Sequence, residues 1–299
     1  MCDELGMTRQ NFYKSRRQRQ RREIDESLIL SLVHQERALQ PRLGARKLLR
    51  RLRRELELAG VSIGRDRFLG LLWEHDLLVV CKRRSAGTTD SRHGWRVYEN
   101  LLKNMTLTGP NQALVSDITY IRTREGFMYL SLVMDAFSRK IVGYDCSDGL
   151  EAEGAMRALS MALKQLPSGH NAIHHSDRGC QYCCHEYVGM LERAGVRISM
   201  TQENHCYENA QAERLNGILK QEYGLGDTFL FKREVPAAVA QAAWLYNESR
   251  PHEALGYEYP SQVMRQRDGA VAEHPRSGRP AGSLRWGCSA KTFERSERM

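Results

Sequence analysis

No run of about 18 apolar residues occurs in this 299-residue sequence, so a membrane-spanning helix is not expected. The N-terminus carries no charged segment followed by a long apolar one, which removes a secretory signal and points to the cytoplasm. A Gly-x-x-x-x-Gly-Lys-Ser/Thr loop is also missing, so ATP chemistry has no support. Cysteine occurs eight times, but no second Cys or His pair at finger spacing accompanies the cluster Cys180, Cys183, Cys184 and His185. Haem attachment fails as well, since Cys184 rather than His follows Cys183. With His174 and His175 close by, spacing alone leaves zinc open. The cysteines are read as small helix-packing residues, and a cytoplasmic setting argues against disulfides.

What the chain does have is a basic front. Its net charge is +9, and residues 1–85 hold 20 Lys and Arg against 11 Asp and Glu, which is the whole excess. That distribution suits a segment binding a polyanion, DNA above all; a merely solvated basic face is the alternative. A hydrophobic content of 41% supplies a buried core for two domains, or for one domain with flanking modules.

Residues 1–22, with seven basic residues between Arg9 and Arg22, read as a basic arm that orders on DNA. Residues 23–80 read as three helices. In the first, Ile24, Leu28 and Leu32, with Ile29 and Val33, mark an apolar stripe that Pro41 closes. The second spans 45–59: Leu48, Leu49, Leu52 and Leu56 face inward, Arg46, Lys47, Arg50, Arg51, Arg53 and Arg54 cover the remainder, and Gly60 stops it. Ser62 is the expected N-cap of a third helix over 64–75, with Phe68, Leu71, Leu72 and Leu77 inward. The three make a helix-turn-helix-like all-α module. Arg65 and Arg67 near the start of the third helix, with Arg46, Lys47 and Arg50 of the second, are its candidate DNA contacts. A bundle that only packs or dimerises is the competing reading.

Residues 81–110, rich in Lys, Arg, Ser, Thr and Gly, read as a linker, 111–268 as the core and 269–299 as a loosely ordered tail. Three strands open the core, at 113–122, 127–136 and 140–147, and their short turns make them antiparallel. A helix over 151–166 ends at Pro167, a brief strand leads into Asp177, and a helix near 186–194 precedes a strand through Val196, Ile198 and Met200. Helices over 209–223 and 234–248 follow, the latter with Pro236 in its first turn. The class is therefore α/β, a mixed five-stranded sheet with flanking helices behind an all-α module.

Three acids come from three different elements of this core. Asp117 lies in the strand ALVSDITYI; Asp177 sits at a strand exit, where Gly179 is free to adopt φ > 0 and turn the chain. Glu213 lies in the first turns of a helix, beside the stripe Ala212, Leu215, Ile218 and Leu219. Carboxylates brought together raise one another's pKa, and divalent cations relieve that penalty. Hard oxygen ligands suit Mg²⁺ or Mn²⁺, and two such ions about 4 Å apart activate the attacking oxygen and stabilise the leaving oxygen of a phosphoryl displacement. Lys220 projects from the same helix face about 10 Å further on, where it can hold a phosphate backbone. Arg178 and His175 flank Asp177, either to orient it or touch phosphate, or to satisfy nearby carbonyls. Asn209 is the expected helix cap, and Asn216 is expected to reach DNA. Asp135 is read as a turn cap rather than a fourth ligand, and Asp145 and Asp148 as solvated turn residues.

With SDITYI around Asp117, YLSLVMDAFSRKIVGY at 129–144, HSDRGCQY at 175–182, the helix bearing Glu213 and Lys220, and YNESRPHEALGYEYPSQV at 246–263, the chain resembles the OrfB-type transposases of bacterial insertion sequences, the IS-three family. The resemblance covers roughly residues 97–265, and QPRLGARKLLRRL is similar to the helical region that precedes the core in that family. It implies a ribonuclease-H-like fold of the retroviral-integrase type. It implies metal-dependent cleavage at element ends and 3′-OH strand transfer, with Asp117, Asp177 and Glu213 holding two Mg²⁺ or Mn²⁺ ions. Implied partners are terminal inverted repeats and target DNA, further copies of the chain, and an OrfA protein joined by frameshift fusion, the present chain resembling the OrfB part alone. The implied location is the bacterial nucleoid. Leu114 departs from the Trp that many relatives carry there. Two rivals stand beside this reading, a non-catalytic regulator that occupies element ends and a structure-selective nuclease of the same fold.

Overall fold

The computed structural model describes residues 8–79, 95–202, 209–270 and 284–285. Its first module is three helices, α1 (Arg9–Leu39), α2 (Ala45–Leu58) and α3 (Arg65–Glu74). The basic arm is not separate from the first helix: α1 begins at Arg9, capped by the Thr8 side chain, and no Gly or Pro interrupts its run of helix-forming Arg, Gln, Lys and Glu. Only the second half of α1 meets its neighbours. Ile29 and Val33 are fully buried with Leu48, Leu52, Leu56, Phe68, Leu71 and Leu72, whereas Ile24, expected in the stripe, lies on the overhanging half and is exposed. The cap of α3 is Gly64 and not Ser62, because the helix starts at Arg65 and Ser62 lies two residues too early. Gly60 adopts φ +67 and turns the chain out of α2, with Val61 N–H donating to the Leu56 carbonyl.

Of the expected linker, residues 81–94 lie outside the described residues, and 95–110 pack on the core. The Leu101 amide donates to Ser199 Oγ and the Met200 amide to the Glu99 carbonyl, while Leu102 and Leu107 are buried. Apolar Leu102, Met105 and Leu107 bring this stretch inward despite its polar composition. A two-residue strand, β1 (Thr106–Leu107), pairs with residues 284–285, the only described part of the expected tail beyond residue 270.

Five strands make the central sheet: β2 (Ala113–Thr123), β3 (Gly126–Asp135), β4 (Ile141–Ser147), β5 (Ile173–Ser176) and β6 (Arg197–Met200), in the order β4-β3-β2-β5-β6. β3 runs antiparallel to β2 and β4; β2, β5 and β6 are parallel. Asp135 builds the β3–β4 turn by accepting from Ser138 N at 2.7 Å, Ser138 Oγ at 2.6 Å and Asn111 N at 2.8 Å, which matches its reading as a turn cap. The crossover from β4 to β5 passes through α4 (Ala152–Leu163), and α5 (Cys180–Cys183) with α6 (His185–Arg193) joins β5 to β6. Gly143 on β4 is needed for close approach, since a Cβ there would run into the Ala158 carbonyl of α4. Cys183 is buried beside Tyr187 and Leu191, while Cys180 is exposed.

Alternation along β2 sorts its side chains between two layers. Val115 and Ile121 face the cluster under α7 (Ala210–Glu222) and α8 (Val235–Glu248), and Asp117 shares their parity; Leu114 and Ile118 face the α4 and α6 side. Asp145 is not a solvated turn residue. It lies within β4 and receives Arg157 Nε and Nη2, each at 2.9 Å, from α4. A last helix, α9 (Pro260–Ala270), closes the core. The helical module sits against the end of α7 through Tyr223–Gln40, Arg42–Asp227 and Lys47–Glu222 hydrogen bonds.

Candidate active site

Where β5 ends beside the middle of the longer β2, the two strands meet the first turn of α7. Asp117 is held by two donors, Asn216 Nδ2 to Oδ2 at 2.7 Å and the Ile118 amide to Oδ1 at 2.9 Å. Asp177 leaves β5 and accepts from the Gly179 amide at 2.9 Å. Gly179 does not take positive φ; its φ is −59, and a Cβ there would fit tightly, 3.0 Å from Gln181 Oε1 and 3.1 Å from Asp177 Oδ1. Glu213 lies in the first turn of α7, where the helix's partial positive charge favours a carboxylate, and its side chain is exposed.

The three acids feel one another. Burial raises the Asp117 carboxyl to about 7, with the charges of Asp177 and Glu213 adding to it and the Asn216 and Ile118 hydrogen bonds opposing it. Glu213 is raised too, by burial and then by Asp177. Among the described residues no three His, Cys, Asp or Glu side chains share one ligating point, so the carboxylates are neighbours rather than a closed cage.

The other expected contacts divide. Lys220 lies over the Tyr120 ring, 4.3 Å from its centroid. Asn216 is buried and turned toward Asp117, not outward. Arg178 donates to the Thr201 and Gln202 carbonyls at 2.6 and 2.7 Å, and His175 Nδ1 meets Ser199 Oγ at 2.8 Å. Asn209 occupies the cap position of α7 but spends its side chain on the Ser116 carbonyl. In the module, Arg46 and Arg50 are exposed, Arg65 pairs with Asp66, and Arg67 is held between Glu26 and Glu74. Lys47 is turned into the core, 2.8 Å from Glu222.

Sequence reasoning missed the support behind the acids. His174 Nε2 lies 2.7 Å from Ser116 Oγ and 2.9 Å from the Tyr187 hydroxyl, tying β2, β5 and α6 together. Burial lowers this histidine to about 3, so it is neutral. The signal was the two-residue period, which sets Ser116 and His174 one step from Asp117 and His175 and therefore on the opposite face.

A family model described as integrase core domain matches residues 108–206, and a second with the same description matches 194–260. An uncharacterized 31 kDa protein of insertion element IS600 from Shigella sonnei is 35% identical over 261 residues, covering 86% of this chain and 94% of the relative. The transposase InsF of insertion sequence IS3A from Escherichia coli (strain K12) is 33% identical over 272 residues, 88% of this chain and 92% of the relative. The chain belongs to the IS3-type transposase family. It is a DNA transposase with an integrase-type core, in the polynucleotidyl-transferase class. Among solved structures, the HTLV-2 integrase catalytic core domain in complex with magnesium aligns at a TM-score of 0.42 and 18% identity, over 52% of this chain and 97% of that one. The sheet order β4-β3-β2-β5-β6, with one antiparallel strand inside it, is the ribonuclease-H-like arrangement expected of this transposase. No helix among the described residues is long and apolar enough to cross a membrane.

Proposed function

We propose that Asp117, Asp177 and Glu213 are the catalytic acids of this transposase and hold two divalent cations, Mg²⁺ or Mn²⁺. The observation that carries the reading is that carboxylates from β2, the exit of β5 and α7 lie close enough for Asp177 and Glu213 to act on Asp117, and Asp177 on Glu213. An all-oxygen donor set of this kind fits a hard divalent ion, and Asn216 Oδ1, buried without a hydrogen-bond partner, adds a neutral oxygen beside it. Bound there, such ions supply activation of the attacking oxygen and stabilisation of the leaving one. The chain's own contribution is placement: Asn216 and the Ile118 amide fix the Asp117 carboxylate, Gly179 fixes Asp177, and the start of α7 presents Glu213. Water then cleaves at the element end, and the freed 3′-hydroxyl attacks a target phosphodiester. One phosphodiester replaces another, so no nucleotide is consumed.

Lys220, Arg46, Arg50, Arg65 and Arg67 are the proposed DNA contacts of this reading, and Arg178 supports the Asp177 loop. Bringing two ends together calls for more than one copy of the chain, with an OrfA protein supplying further end recognition, in the bacterial nucleoid. The experiment is strand transfer on labelled DNA carrying the element's ends, with Mg²⁺ or Mn²⁺ and with OrfA supplied, beside Glu213→Gln. Product from wild type alone is expected. End-specific binding without product from wild type would favour the regulator instead.

A further inference from the structure

At the far end of α7 from Glu213 the balance of charge reverses. Glu222, the last residue of α7, accepts from Arg250 Nε at 2.7 Å, Arg250 Nη2 at 2.9 Å and Lys47 Nζ at 2.8 Å. One carboxylate therefore meets two cations. Arg139, from the β3–β4 turn, and Arg214, from α7, stand close enough for their charges to act with Arg250 and Lys47 on the same neighbour, His252. Asp135 lies within reach of Arg139, but its oxygens already serve Ser138 and the Asn111 amide.

Donors in this pocket outnumber acceptors. Arg250 is 1% exposed, yet its Nη1 has no hydrogen-bond partner, and Arg139 Nε is buried in the same condition. His252 Nε2 lies 3.3 Å from the Tyr246 hydroxyl, and its Nδ1 is buried without a hydrogen-bond partner. Burial, then Arg250 and the other cations, lowers the His252 ring to about 3, so it stays neutral and donates one proton. Folded interiors leave few donors unmet, because a buried donor that has lost its water bears the cost of desolvation with nothing in return. An oxyanion with several acceptor oxygens can satisfy buried guanidinium donors of this kind, and guanidinium groups are suited to phosphate.

We propose that Lys47, Arg139, Arg214, Arg250 and His252 form a binding pocket for a phosphate group at the joint between the helical module and the catalytic core. Arg214 is exposed and Lys47 half-buried, and the exposed Arg46 and Arg50 on α2 add to the cationic surface of the module. The bearer of the phosphate is the DNA backbone or free inorganic phosphate. Choosing DNA rests on the proposed transposase reaction; the pocket itself does not.

The test uses the full chain, wild type and the variants Arg139→Gln and Arg214→Gln, which leave the Arg250–Glu222 pair in place. Thermal unfolding is compared in sodium phosphate and in sodium chloride of equal ionic strength, and binding of a labelled element-end duplex is followed across a salt series. Phosphate is expected to raise the wild-type midpoint above that in chloride, with the gain lost in both variants. Duplex affinity is expected to fall about tenfold in each variant, with a salt slope shallower by about one. Loss of the phosphate effect alone identifies free phosphate as the occupant, and loss of duplex affinity identifies DNA. The pocket is overturned if phosphate and chloride give one midpoint and both variants bind duplex as wild type does. Strand transfer by wild type, run in parallel, separates the two ideas. Normal transfer with unaffected variants sinks the pocket alone, and phosphate binding through these arginines without any transfer sinks the proposed reaction alone.

Discussion

The two ends of α7 carry opposite electrostatic problems. Glu213, in the first turn, joins Asp117 and Asp177 in a group of carboxylates that raise one another's pKa. Glu222, nine residues later and about 13 Å along the axis, is outnumbered by Arg250 and Lys47. Burial opposes its ionisation, yet the hydrogen bonds and charge of Arg250 and then of Lys47 hold it below the usual carboxylate range. The helix dipole favours both arrangements, anions at its start and cations at its end. A cluster of carboxylates suits a cation; a cationic cluster with unmet donors suits an anion. One helix thus connects the chemistry of cleavage to the joint with the helical module.

The largest effect is expected from Glu222→Gln. Removing that carboxylate leaves Arg250, almost wholly buried, without its charge partner and should destabilise the chain by about 3–5 kcal/mol in urea unfolding. Glu213→Gln in metal-free protein should be neutral or stabilising. Equal losses at the two ends would erase the contrast.

Second is the pH dependence of metal-free protein. The folded Asp117 carboxyl holds its proton up to about 7, against a reference value of 3.8. The folded chain therefore binds that proton more tightly than the unfolded one, and stability falls as pH rises through the interval between those values. Asp117→Asn should flatten that fall and leave the metal-free protein more stable than wild type above pH 7, while abolishing strand transfer. A variant as pH-sensitive as wild type in thermal unfolding from pH 4 to 8 would remove Asp117 from the account.

Smaller effects sharpen the anionic end. Asn216→Ser should shift the Mn²⁺ concentration for half-maximal strand transfer several-fold upward, because the Asp117 carboxylate loses its fixed orientation; a purely structural role would lower stability and leave that concentration alone. Lys220→Ala, at a half-buried position beside Tyr120, should weaken duplex binding only a few-fold and reduce the salt slope by about one, read by anisotropy.

Local periodicity made the five sheet strands and four of the core helices legible to within a residue or three, and with them the elements that carry Asp117, Asp177 and Glu213, while the short α5 and the closing α9 went unread. It could not supply partners distant in sequence. Asp145 looks like a solvated turn acid until Arg157 of α4 is folded over it. Asn216 looks available to DNA until α7 is laid against β2, 99 positions away. Lys47 reads as one more surface cation on α2, and only the docking of the module on Glu222 turns it inward. Gly179 reads as a residue free to turn the chain through positive φ, yet its φ is −59 and its place is a tight fit against the Gln181 and Asp177 side chains.

Mn²⁺ titration of the metal-free chain, followed by electron paramagnetic resonance, tests the central claim most directly. Wild type should bind up to two ions, with both sites weakened or lost in Asp117→Asn and Glu213→Gln and both retained in Glu222→Gln provided that variant is folded. Binding of Mn²⁺ by the two active-site variants with wild-type stoichiometry and affinity would contradict the assignment of these carboxylates as the metal centre.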